Sequence, residues 1–157
     1  MENIYSTDWD GTQDHPGYEW HRIRLGRRLD GEMLGASIYV LGPGQRSFPY
    51  HLHHANEEML IVLEGSVGVR TPDGEQEAGK GDAILFRRGP SGAHQVINRS
   101  EQDARILMMS TMVEPEIAEY PDSGNIGVFA DNGRADGPDV LAKFIDGSAE
   151  VDYFKGS

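Results

Sequence analysis

Residues 43–65, PGQRSFPYHLHHANEEMLIVLEG, place two histidines two residues apart (His51 and His53), then two carboxylates (Glu57 and Glu58), then an apolar run that stops at Gly65. In a β-strand residues i and i+2 point to the same face, so His51 and His53 aim their rings the same way. The run Glu58-Met59-Leu60-Ile61-Val62-Leu63 is apolar and partly β-branched, and it reads as the next strand. A short turn, HANE, brings Glu58 back to face the two imidazoles. Two imidazoles and a carboxylate on one sheet face suit a divalent transition metal. A solvated histidine cluster on an exposed loop is the competing reading of this stretch.

Working outward, the chain is a succession of short strands. Tyr18 to Leu29 (YEWHRIRLGRRL) alternates in a strand-like way, and GASIYVL gives a strand from about Leu34 to Leu41, closed by Gly42-Pro43-Gly44. SVGVR is followed by TPDGE, a hairpin signal, with Glu75 to Ala78 returning. AILF is the next strand, residues 94–98 put His94, Val96 and Asn98 on one face, and ARILMMSTMV ends the series. Regular turns with almost no helical periodicity predict an all-β sandwich or barrel, inside which a small ligand fits. On β parity Glu58, Leu60 and Val62 line the interior, whereas Met59, Ile61 and Leu63 form an outer face that must be covered. His54 has the wrong parity to join His51 and His53, and belongs to the outer face or behind the ligands. His15 and His21 are expected in loop and structural roles.

A second stretch, GKGDAILFRRGPSGAHQVIN (residues 79–98), adds His94 and Asn98. Together the two stretches resemble the paired motifs of the cupin superfamily, G-x5-H-x-H-x3,4-E-x6-G and G-x5-P-x-G-x2-H-x3-N. His51, His53, Glu58 and Gly65 match the first, and Gly81, Gly89, His94 and Asn98 find places in the second. Glu57 fits the shorter spacing but misses the glycine. Three departures stand out: Gly44 lies one residue too far from His51, Arg87 replaces the motif proline, and two extra residues separate Gly89 from His94. None removes a ligand. The resemblance covers roughly residues 34–113. It implies a double-stranded β-helix, or jelly-roll-like barrel, and one divalent metal (Fe, Mn, Ni or Zn) on His51, His53, Glu58 and His94. Asn98 is expected to be a structural hydrogen-bonder.

The expected organisation is an N-terminal arm at 1–17, a cupin barrel at 18–113, and an irregular C-terminal extension at 114–157 that packs on the barrel or on a partner. The extension is read as loop from its Pro, Gly, Asp and Asn content, up to a short apolar run at Val140 to Ile145. Arg46, Arg87 and Arg88, with Tyr50, are candidates for the substrate mouth, where arginines bind carboxylate or phosphate. Solvated loop arginines and a core tyrosine are the plain alternatives.

Composition narrows the function classes. The 157 residues hold no cysteine, so thiolate ligands and a cysteine nucleophile are excluded. Lys+Arg 14 against Asp+Glu 26 gives −12, with lysine only at 80, 143 and 155. Such a surface repels phosphate backbones and anionic membranes, so neither nucleic acid nor a membrane is an expected partner. It matches the surfaces of salt-adapted proteins and of ordinary acidic ones alike. The polar, acidic start is unlike a signal peptide, and no apolar run approaches the ~20 residues that span a bilayer, so a cytoplasmic protein is expected. The cupin resemblance implies an enzyme acting on a small organic molecule, a dioxygenase or oxidase or a sugar-isomerase-like protein. A non-catalytic, metal-dependent binder or sensor is the alternative. A homodimer is expected, with residues 18–29 or the segment after Met112 crossing to the partner.

Overall fold

Strand β5 (Glu58–Glu64) shows how the sequence builds the interior: Leu60 and Val62 are buried while Met59, Ile61 and Leu63 are only half-buried. In the computed structural model, which describes residues 1–130 and 141–155, β5 lies between β8 (Ala83–Phe86) and β10 (Ala104–Ser110). Beyond β10 come β3 (Gly35–Leu41), β2 (Trp20–Ile23) and β1 (Gly11–Gln13), which complete a six-stranded antiparallel sheet. Two smaller sheets accompany it. In one, β6 (Ser66–Thr71) pairs with β7 (Gly74–Gly79) and β9 (Gln95–Ile97). In the other, β4 (Leu52–His53), β11 (Glu116–Tyr120), β12 (Asn125–Ala130) and β13 (Leu141–Asp146) run in that order.

Isolated bridges Arg46↔Ile97 and His51↔His94 join the two smaller sheets along residues 45–53. The result is an all-β sandwich of the jelly-roll kind, with unclosed edges. Its main core includes Leu41, Leu60, Val62, Val69, Val96 and Ile106, and the aromatic triad Trp20, Tyr39 and Phe48 packs against it edge-on. At Gly65, φ is +74° and a Cβ would come within 2.9 Å of the Asp103 carbonyl oxygen, so the turn from β5 to β6 requires glycine.

Three expectations change. The strand expected over Tyr18 to Leu29 ends at Ile23; Leu25–Arg28 is a single helical turn, α1, because pairing with β3 ends there and Arg28 and Leu29 donate back to Arg24 and Leu25. The arm at 1–17 contributes β1, and Arg28 ties it down through the Asp10 carboxylate and the Asp8 carbonyl. The extension after residue 113 is not irregular throughout: β11, β12 and β13 form an antiparallel set built on β4. Pro121 and Gly124 lie in the turn between β11 and β12, whereas Gly127 sits inside β12. Residues 131–139 of the segment read as loop, and Val140 at the start of the apolar run, lie outside the described residues. Among those described, no helix is long and apolar enough to cross a membrane.

Candidate metal centre

The structure brings His51, His53, Glu58 and His94 together. Glu58 Oε2 lies 3.1 Å from His94 Nε2, 3.3 Å from His53 Nε2 and 3.9 Å from His51 Nε2. One donor atom from each of His51, His53 and Glu58 falls within a 4.8 Å span. Three local devices hold the set. His51 and His94 exchange both main-chain hydrogen bonds, at 3.1 and 2.8 Å, which fixes their backbones side by side. His51 Nδ1 donates to the Pro49 carbonyl at 2.8 Å and His94 Nδ1 to the Gly92 carbonyl at 2.9 Å, so each Nε2 keeps its lone pair toward the cluster. Phe86 stacks flat on the His94 ring, 3.7 Å between centroids and 3° between planes.

The glycine inside the PSGA insertion now has a reason. A Cβ on Gly92 would sit 1.6 Å from the Arg87 carbonyl oxygen, so only glycine lets this tight 3₁₀ turn (Pro90–Gly92) deliver its carbonyl to His94. Asn98 behaves as expected, fully buried and donating to the carbonyls of Leu41 and Gln102. His54 points outward, with Nε2 2.6 Å from Glu119 Oε1. His21 stacks on Trp9, and His15 lies against Tyr18.

Charge is distributed unevenly. Burial pushes His51 down to about 4, reinforced by the neighbouring His94. Burial opposes a charge on His53 too, but Glu116 and Glu58 outweigh it and raise His53 to about 9. Burial likewise works against the Glu58 carboxylate, yet the His53 and His94 imidazoles hold it well below the usual carboxylate range. Glu58 and Glu116 thus favour the charged form of the His53 ring between them. His53 Nδ1 and Nε2, Glu58 Oε2 and His94 Nε2 are all buried without a hydrogen-bond partner. Buried polar atoms are rarely left so; His53 Nδ1 faces Glu116, and the three that converge, His53 Nε2, Glu58 Oε2 and His94 Nε2, fit a cation.

Known proteins share this fold. Residues 37–110 match the cupin domain family, a span that holds all four converging side chains. The chain carries a cupin domain. Solved structures extend the likeness over nearly its whole length. A protein of Acidithiobacillus ferrooxidans provisionally assigned as a sugar phosphate isomerase is 21% identical, with TM-score 0.80 over 95% of this chain and 91% of its own. A cupin-superfamily sugar phosphate isomerase of Silicibacter pomeroyi is 24% identical, with TM-score 0.74 over 87% and 82%. The polyketide cyclase RemF of Streptomyces resistomycificus is 28% identical, with TM-score 0.59 over 74% and 83%. Among curated proteins no sequence matches the chain.

In this cupin a cavity of about 300 Å³ opens onto His53 and Glu58. None of Arg46, Tyr50, Arg87 and Arg88 lines it. Arg46 lies against Tyr18, Tyr50 lies under the Arg70 guanidinium at 4.0 Å, and Arg87 and Arg88 are exposed. Phe48 is the residue of the first motif loop that does line the cavity, and the walls come from β3, β10 and the C-terminal strands.

Sequence reasoning misses Glu116. Its carboxylate is buried, accepts the backbone N–H groups of His54 and Ala55 at 3.0 and 3.2 Å, takes a hydrogen bond from Asn56 Nδ2, and faces His53 Nδ1 at 3.7 Å. Glu116 reaches this place because Ala118, two residues on, pairs with His53.

Proposed function

We propose that the protein is a metal-dependent enzyme. His51, His53, Glu58 and His94 hold one divalent transition metal, Fe, Mn, Ni or Zn, and a small organic molecule is transformed in the cavity opening on it. The observation that carries this reading is the convergence of three buried, unpartnered donor atoms, His53 Nε2, Glu58 Oε2 and His94 Nε2, where His53 and Glu58 line that cavity. Three neutral nitrogens and one carboxylate leave room in a six-coordinate sphere for water or substrate. When bound, such a metal acts as a Lewis acid on a substrate oxygen or, as iron, supports oxidation by dioxygen.

The chain's own residues set the stage for that chemistry. Glu116 faces His53 from behind at 3.7 Å, while hydrogen bonds to the Pro49 and Gly92 carbonyls orient His51 and His94. Tyr120, stacked on His51 at 6.0 Å, lines the cavity, and burial keeps its phenol protonated. The names of the structural neighbours, sugar phosphate isomerase and polyketide cyclase, accord with metal-assisted proton transfer. A non-catalytic binder or sensor would share these features, and turnover separates the two. We further propose a homodimer, supported by β13, which is exposed along its whole length despite carrying Leu141, Phe144 and Ile145.

The test begins with protein purified without affinity histidines or chelator. Elemental analysis should find about one transition metal per chain, and a screen of metal forms against small oxygen-bearing molecules should show turnover that Glu58→Gln lowers more than it lowers substrate binding. Failure to take up any metal would refute the centre. Tight ligand binding without turnover in any metal form would refute the enzyme and leave the binder.

A further inference from the structure

The cavity above the cluster has a chemical character of its own. Its walls present four aromatic rings, Tyr39, Phe48, Tyr120 and Phe129, and the thioethers of Met108 and Met112. The charged side chains lining it among the described residues are three carboxylates, Glu58, Glu114 and Glu116, and His53, whose proton a bound metal would displace; no lysine or arginine is among them. Two of those carboxylates are committed within the site. Glu58 faces the three imidazoles, and Glu116 is held by two amides and Asn56.

This lining decides against one class of ligand and for another. A phosphate or carboxylate group brought into a low-dielectric pocket needs a cation or a cluster of donors to replace its water. Here an anion would meet carboxylates and ring faces. Aromatic and thioether walls instead favour a flat apolar body, through area burial, ring stacking and sulfur–ring contact. The cavity's polar lining includes Glu114, Asn56, Ser37 and Ser110 together with the donor cluster, where a metal would offer open positions to oxygen.

Resting on the metal-centre reading above, we infer that the site takes uncharged aromatic molecules bearing two adjacent oxygens, such as vicinal diols or hydroxy-ketones on a fused ring. The oxygens reach the metal while the ring lies among Tyr39, Phe48, Tyr120 and Phe129. Sugar phosphates, the substrates named for two structural neighbours that share this fold at 21% and 24% identity, are the wrong class for this chain.

The experiment uses full-length protein loaded with redox-silent Zn(II), with metal content verified after gel filtration and again after ligand exposure. Binding of 2,3-dihydroxynaphthalene, ribose and ribose 5-phosphate is followed by calorimetry and thermal shift. The naphthalenediol should bind at least ~10-fold more tightly to the zinc form than to the apoprotein, and ribose 5-phosphate should bind no better than ribose. Phe129→Ala should retain zinc and weaken the diol by about tenfold through lost ring contact. Ribose 5-phosphate binding more tightly than the diol, equal diol affinity with and without zinc, or no diol binding to zinc-loaded protein would each overturn the ligand class while leaving the metal centre standing. A protein that takes up no zinc at all overturns the metal centre and this inference with it.

Discussion

Metal binding at this centre should expel a proton from one particular histidine, and the expected size follows from the geometry. His53 sits between Glu58, 3.3 Å from its Nε2, and Glu116, 3.7 Å from its Nδ1, and this pair raises it to about 9. His51, pushed down to about 4 by burial, is already neutral near pH 7.5, and Glu58 is already ionised. A metal on His53 Nε2 must displace that atom's proton, so titrating Zn(II) into apoprotein at pH 7.5 should release about one proton from His53. Because the raised group binds its proton in the metal-free state, affinity must rise with pH. Kd should fall about tenfold per pH unit from ~7 up to ~9 and then level off. That is about 100-fold across the window, or ~2.7 kcal/mol at about 1.36 kcal/mol per unit. Calorimetry in two buffers of different ionisation enthalpy reads the proton count directly, and competition against a chelator of known pH dependence reads Kd. Zero proton release at pH 7.5 together with a flat Kd between pH 7 and 9 would refute the assignment of a proton to His53.

Other outcomes are as specific. Glu116→Gln keeps the hydrogen bonds to His54 and Ala55 but removes the charge facing His53, so metal affinity at pH 8 or above should fall by ~10–100-fold with little change in fold, read by chelator competition and circular dichroism. Gly92→Ala places a methyl on the Arg87 carbonyl and should cost ~2–4 kcal/mol in chemical denaturation, with metal affinity falling as His94 loses its carbonyl anchor. Light scattering should give twice the chain mass at micromolar concentration, and Phe144→Asp on exposed β13 should shift it toward monomer; a wild-type monomer would refute the dimer.

The part of this architecture legible in the sequence is the part governed by local period. Leu60 and Val62 inside, Met59 and Ile61 on the other side, and His51 with His53 on one face all follow from alternation, and Gly65 from a turn that needs positive φ. The C-terminal strands were not legible because their pattern runs against hydrophobicity. In β11 Glu116 is buried while its neighbour Ile117 is 45% exposed, the reverse of what burial of apolar residues predicts. What inverts it is pairing with β4, which puts the face carrying Glu116, Ala118 and Tyr120 toward the donor cluster. A period-2 signal also cannot show where a strand stops, so the alternation of Trp20 to Ile23 runs on into a helical turn. The cavity lining includes none of the arginines expected at a mouth, because loop length alone does not say which way a side chain emerges.

The main-chain bridge between His51 and His94 bears on how the protein is made as well as on how it works. Two donors from segments far apart in the chain are held side by side only after residues 45–53 have zipped onto β9 and its flanks. Pairing between remote segments must overcome loop-closure entropy before it is rewarded, so it belongs late in folding. A nascent or partly folded chain therefore offers a passing ion at most the three donors of one segment, His51, His53 and Glu58, and the full set with His94 appears only with the closed sandwich. Metal selection is thereby postponed to the native state, and an ion that binds there acts as a clasp across the last seam to close. The amide hydrogens of His51 and His94 should be the ones whose exchange slows most on loading.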